Sequence, residues 1–177
     1  KADFAGGILA YAVGFSVGTK GYIATGAGIG SGDEQWEWDQ AANTWVQKAN
    51  FPGGPRENAV AFSIGTKGYL ATGMDASNFN YTQDLWEYDP SADTWSQKAN
   101  FGGTGRQNAV GFSIGTKGYI GTGEDYPGTY FQDFWEWNQA TNTWQQKSAF
   151  PGNARWGAVG FSIGSKGYIG TGNDFWG

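Results

Sequence analysis

Cysteine and histidine are both absent from the 177 residues, and methionine occurs once. Without cysteine there are no disulfides, and the compartment stays open. Without either residue the usual zinc sites and the Cys- or His-based catalytic triads fall away. Basic residues are outnumbered, 11 against 16 acidic, for a net charge of −5. A surface of that sign argues against nucleic acid or anionic lipid as a partner. No apolar run approaches the ~20 residues of a membrane-crossing helix. No signal peptide is visible, although a mature chain would have lost one. The chain opens at Lys1 rather than Met, as a processed or excised segment would. What is abundant is glycine, with 31 residues, and aromatics at 18%, including 10 Trp. That combination predicts many short strands joined by tight turns.

The chain repeats itself. Gly-Tyr pairs at Gly21-Tyr22, Gly68-Tyr69, Gly118-Tyr119 and Gly167-Tyr168 step by 47, 50 and 49 residues. Thr-Trp pairs at Thr44-Trp45, Thr94-Trp95 and Thr143-Trp144 step by 50 and 49, as do Arg56, Arg106 and Arg155. Markers from three parts of the unit keep one period, which defines a repeat architecture. The units run approximately 1–11 (a partial outer strand), 12–58, 59–108, 109–157 and 158–177 (a partial unit).

Four strands are readable in each unit. In the second, Val60, Phe62 and Ile64 alternate with small residues, the period of a strand. Gly65-Thr66-Lys67-Gly68 predicts a hairpin turn and Tyr69–Thr72 a second strand stopped by Gly73. After a polar loop of varying length come Leu85–Tyr88, an Asp-Pro turn, and an outermost strand over 94–98. Small residues on the first strand suit crowding around an axis, and aromatics on later strands suit a widening gap between units.

An Arg before the first strand, a Gly-ended second strand, an aromatic-Asp turn and a following Trp together resemble the kelch motif of β-propellers. The features stand at Arg56, Gly73, Tyr88-Asp89 and Trp95, and again at Arg106, Gly123, Trp137-Asn138 and Trp144. The first unit has Gly26, Trp38-Asp39 and Trp45, with Leu9 where the Arg is expected. Thr-Gly replaces the family's double Gly in every unit, at Thr25-Gly26, Thr72-Gly73, Thr122-Gly123 and Thr171-Gly172. The resemblance implies an all-β, kelch-type β-propeller of about 3.5 four-stranded blades. The outcome is a partial ring, a closed four-bladed ring, or half of a larger ring formed by two chains. Asn173-Asp174-Phe175-Trp176 reads as the start of a further third strand.

In the kelch arrangement the loop between strands two and three and the loop between blades share one face. That puts Arg56, Arg106 and Arg155 beside the variable loops, where guanidinium groups would meet a carboxylate-bearing ligand, or else pair with an Asp or carbonyl of the next blade. The loop aromatics Phe79, Tyr81, Tyr126, Tyr130, Phe131 and Trp156 are candidate contacts for a protein or a sugar. Asp75, Asp125 and Asp174 follow the Thr-Gly step and are thin candidates for calcium, which needs more oxygens than one carboxylate per loop. Trp38, Trp45, Tyr88, Trp95, Trp137 and Trp144 are expected to pack between blades, and Lys20, Lys67, Lys117 and Lys166 to be solvated turn residues.

Some kelch-containing proteins are enzymes, a copper oxidase of galactose among them, but that chemistry uses His ligands and a Tyr-Cys crosslink. No carboxylate pair recurs as a glycosidase would need. The expectation is a non-catalytic protein-binding or scaffold propeller without cofactor, secreted or at the cell surface, that self-associates as a homo-oligomer. The alternatives are an extracellular carbohydrate-binding or adhesive module and an engineered or excised self-assembling building block.

Overall fold

The computed structural model describes residues 1–174, and every regular element among them is a strand. Three complete four-stranded antiparallel sheets follow one another along the chain. The first has strands Val13–Val17, Lys20–Ala24, Gln35–Asp39 and Thr44–Lys48. The second has Val60–Ile64, Lys67–Ala71, Leu85–Asp89 and Thr94–Gln97. The third has Val110–Ile114, Lys117–Gly121, Phe134–Asn138 and Thr143–Lys147. Strand order in each sheet equals chain order, so each blade is a meander from inner to outer edge. Val159–Ile163 and Lys166–Gly170 form the inner hairpin of a fourth. The expected third strand there is not seen in the described residues: Asn173–Asp174 pairs with Arg155–Trp156 instead, and Phe175 and Trp176 lie outside them.

Each inner hairpin has a two-residue turn. Ile64 pairs with Lys67, and Gly65 takes φ 58°. A positive φ at the first central residue matches the right-handed twist of the strands it joins. The second strand ends in a double left-handed kink, with Thr72 at φ 58° and Gly73 at φ 89°, and the other Thr-Gly pairs do the same. A β-branched residue there is strained by about 1–2 kcal/mol, so something outside must hold it.

The blades meet through alternate inner-strand residues. Val60, Phe62, Ile64, Tyr69, Leu85, Ile120 and Trp137 form one buried cluster between the second and third blades. Val13, Ala24, Phe51 and Leu70 form another between the first and second. Tyr69 lies 5.0 Å from Trp137 and Tyr22 lies 5.6 Å from Tyr88, each pair spanning a joint. Trp95 Nε1 donates to Ala49 O at 3.2 Å and Trp144 Nε1 to Ala99 O at 3.0 Å, which ties each outer strand to the tail of the blade before it. In the first blade Trp38 and Trp45 keep the packing of their counterparts, Phe4 standing where Phe51 covers Trp95 and Phe101 covers Trp144. Trp38 and Trp45 pack on each other at 5.2 Å, and Phe4 covers Trp45 at 4.9 Å.

A backbone ladder runs across the joints. Asn58 N–H donates to Tyr11 O at 3.1 Å, Asn108 N–H to Asn58 O at 3.1 Å, and Gly157 N–H to Asn108 O at 2.9 Å. All four residues have positive φ.

Three of the four turn lysines are not simply solvated, while Lys166 is exposed as expected. Lys20 pairs with Asp39 at 2.5 Å, Lys67 pairs with Asp89, and Lys117 lies 3.4 Å from Glu136. Lys20 and Asp39 are direct cross-strand neighbours, as are Lys117 and Asn138. Asn138 carries no charge, so Lys117 turns to Glu136.

Candidate functional site

The site expected from sequence is the face where the variable loops meet the segment entering each blade. Two-residue strands organise it, pairing Leu9–Ala10 with Ala27–Gly28, Arg56–Glu57 with Met74–Asp75, and Arg155–Trp156 with Asn173–Asp174. In the third blade Glu124 bridges Gln107 of the entering chain, and Glu124–Asp125 also forms a small hairpin with Thr129–Tyr130. These pairs clamp the loop stems to the entering chain, and only the loop tips project.

Arg56 and Arg106 are inside the protein. Arg56 is 1% exposed; its Nη1 and Nη2 reach the two oxygens of Asp84 at 2.7 and 3.0 Å, and it also donates to Thr72 O and Gly53 O. Arg106 is wholly buried and grips Asp133 with the same fork, at 2.5 and 2.9 Å, with a third bond to Thr122 O. A forked pair of this kind holds position as well as charge. In these two blades it also anchors the strained Thr-Gly kink, through Thr72 O and Thr122 O. From the other side, Gly73 N–H donates to Arg106 O and Gly123 N–H to Arg155 O, both at 2.7 Å. Each arginine therefore fastens its own blade with its side chain and the preceding blade with its carbonyl.

The reading of Arg56 and Arg106 as ligand-facing guanidinium groups is thereby corrected: both forks are filled by aspartate and closed from solvent. Arg155 is half-buried; it donates to Thr171 O and Asn153 O and lies over the Phe150 ring at 4.9 Å. Phe131 is likewise not a free loop ring, because the Arg106 guanidinium sits 3.9 Å from its centroid.

The loop tips divide the other aromatics. Phe79 is 70% exposed and Tyr126 is 81% exposed. Tyr81 and Tyr130 are half-buried, with Tyr81 bridging to Met74 and Tyr130 held in the small hairpin. Trp156 is half-buried on its short strand. Burial, with Glu124 and Asp125 close by, pushes the Tyr81 phenol up, so the second and third loops are neighbours. Their carboxylates and the absence of a free arginine on Arg56 or Arg106 make this face acidic rather than basic.

The acidic candidates serve their own loops. Asp75 accepts from Ser77 N and Oγ and from Asn78 Nδ2, at 2.6 to 2.9 Å. Burial opposes ionisation of Asp75, but these bonds outweigh it and the pKa falls below the ordinary value. Asp125 accepts from Thr129 N, and Asp174 from Asn153 Nδ2. Among the described residues no three acidic, His or Cys side chains gather as a metal site would require.

Sequence reasoning missed one member of the face. Ile29, in the first variable loop, is 81% exposed, as is Ile8 beside it. Ile29, Phe79 and Tyr126 thus give one large exposed apolar side chain per complete blade, all on second-to-third-strand loops. The available signal was an apolar residue in a Gly/Ser-rich loop.

Radially ordered four-stranded sheets, joined by one recurring joint, define an all-β propeller-type fold with a loop face. The solved structure titled "Structure of YjhT" shares that fold, with a TM-score of 0.76 at 20% identity. The match covers 91% of this chain and 57% of YjhT, so the chain spans little more than half of that structure. No family model and no curated protein matches the sequence.

Proposed function

We propose that this chain is a non-catalytic binding propeller of the kelch type, whose loop face takes a protein partner. The observation that carries the reading is the recurrence of an exposed apolar tip, Ile29, Phe79 and Tyr126, on loops whose stems are clamped. Isolated exposed apolar residues are ordinary, but one per blade at the same place in a rigid frame is a surface for association. Aromatic anchors of this kind dominate protein interfaces. The acidic surroundings, including Glu124 and Asp125, favour a partner with basic residues around an apolar centre.

The test is a triple substitution, Ile29→Ser with Phe79→Ser and Tyr126→Ser, which touches neither arginine fork. A partner captured by the parent chain and identified is expected to bind the triple variant at least about 30-fold more weakly, the scale of lost hot spots. Equal affinity sinks the reading. A glycan array forms the second arm. Sugar binding lost on Tyr126→Ala or Tyr130→Ala would move the assignment to a carbohydrate-binding module.

A further inference from the structure

The joints between blades have a knob and a hole in fixed register. The ring of Phe15 lies over Gly68, that of Phe62 over Gly118, and that of Phe112 over Gly167. At Gly118 an added Cβ would stand 2.5 Å from the Phe62 ring, so no side chain fits beneath it. A second contact keeps the same register, with Val60 against Gly111 and Val110 against Gly160.

Among the described residues, both halves of this joint also occur without a partner. On the last hairpin Val159 is 59% exposed and Phe161 is 51% exposed, although Val60 and Phe62 are 4% exposed at the same positions of the second blade. On the first blade the corresponding holes are open. A Cβ at Gly21 would meet only Trp38, at 3.7 Å, and one at Gly14 only Tyr22 O, at 3.6 Å. A hollow of about 360 Å³ lies there, lined by Gly14, Gly21, Tyr22 and Trp38 among others. The backbone ladder stops at matching groups, the amide side of Tyr11 and the carbonyl side of Gly157.

We propose that these surfaces bind each other between copies: the Val159–Gly170 hairpin of one chain docks on the first blade of a second chain. Phe161 then covers Gly21, Val159 covers Gly14, and the ladder continues from Gly157 O to Tyr11 N. The occupant is a second copy because the hole is cut for a strand carrying Val and Phe two residues apart, and this chain carries that pair unmatched. The interface continues one already built three times inside the molecule. It is head-to-tail, so two or more copies close into a ring if the rotation permits and otherwise extend as a chain. It is separate from the loop face.

Sedimentation equilibrium over a wide concentration range tests this. The parent chain is expected to move from 19.0 kDa to at least twice that mass. Gly21→Val fills the hole without a clash in the single chain, and Phe161→Asp removes the knob. Each is expected to weaken self-association at least about 30-fold, with an unchanged far-UV spectrum. Mixing the two variants leaves one chain with a good knob and the other with a good hole, so a heterodimer should form. The Ile29, Phe79 and Tyr126 triple variant should still associate, which separates this result from the loop-face reading. A parent chain monomeric at all concentrations overturns the proposal. So does association that ignores both substitutions, or a mixture that yields no heterodimer.

Discussion

The first blade and the two that follow it share strand order, turn and kink, yet they are held differently. In the second and third, a buried arginine fork locks the loop stem to the entering chain through Asp84 and Asp133. In the first, Leu9 occupies the arginine position and Glu34 the aspartate position. Glu34 turns outward to accept from the Ser31 and Gly32 amides, at 2.5 and 2.9 Å. The first blade also places Gln35 where its neighbours have Leu85 and Phe134. Gln35 is wholly buried, and neither its Oε1 nor its Nε2 has a partner. The Thr-Gly kink forms in all three, with Thr25 at φ 60°. The fork is therefore not needed to make the kink, and its work is to lock the loop stem to the segment entering the same blade.

The largest test of this contrast is Arg106→Ala. It strands Asp133 beside a cavity and frees Thr122 O, and we expect a loss of about 3 kcal/mol in urea unfolding, the low end for a broken buried pair because Asp133 keeps some solvent contact. The matching change in the first blade, Glu34→Ala, is expected to cost no more than about 1 kcal/mol. Equal losses would erase the distinction.

Next comes Gln35→Leu, which installs the second blade's residue in the first. Removing two unsatisfied polar atoms at nearly constant volume should stabilise the protein by about 1–2 kcal/mol in the same measurement. A destabilising result would mean that the amide has a partner in solution.

The smallest effect concerns acid. Lys67 holds Asp89 down to about 2, with help from Ser91, and Lys20 with the Ala41 and Ala42 amides lowers Asp39. Carboxylates depressed in the folded state contribute stability above the ordinary Asp range, and lose it as pH falls through the folded value. Stability is therefore expected to be flat from pH 7 to about 5 and to decline from about 4 toward 2. The third blade has Asn138 at this position. Asp89→Asn, which installs that amide in the second blade, should flatten the decline below about pH 4, and an undiminished decline would refute the assignment.

Much of the fold was legible because its causes are local. Val60, Phe62 and Ile64 announce their strand by alternation, and Gly65 its turn by the φ it must adopt. The fate of the arginines was not local. Arg56 finds its aspartate 28 residues away and Arg106 finds its own 27 away, across loops of unequal length. Spacing conceals such a pair, although an Asp just before each third strand, at Asp84 and Asp133, keeps step with the arginines and was there to be noticed. Gln35 was invisible for a different reason. A polar residue at a strand start reads as solvent-facing, whereas the folded chain buries this one completely. The loop aromatics were divided by their partners, with Phe131 claimed by Arg106 while Phe79 and Tyr126 remained outside.

The glycines under the phenylalanine rings have a consequence beyond this molecule's stability. Because every joint is the same joint, a unit can be copied or deleted in the gene without inventing a new contact. A duplication falling between residues 108 and 109 would present a phenylalanine to a glycine on both of its sides. Blade number can then drift by whole units through recombination, while substitution at any one of the covered glycines is closed to it.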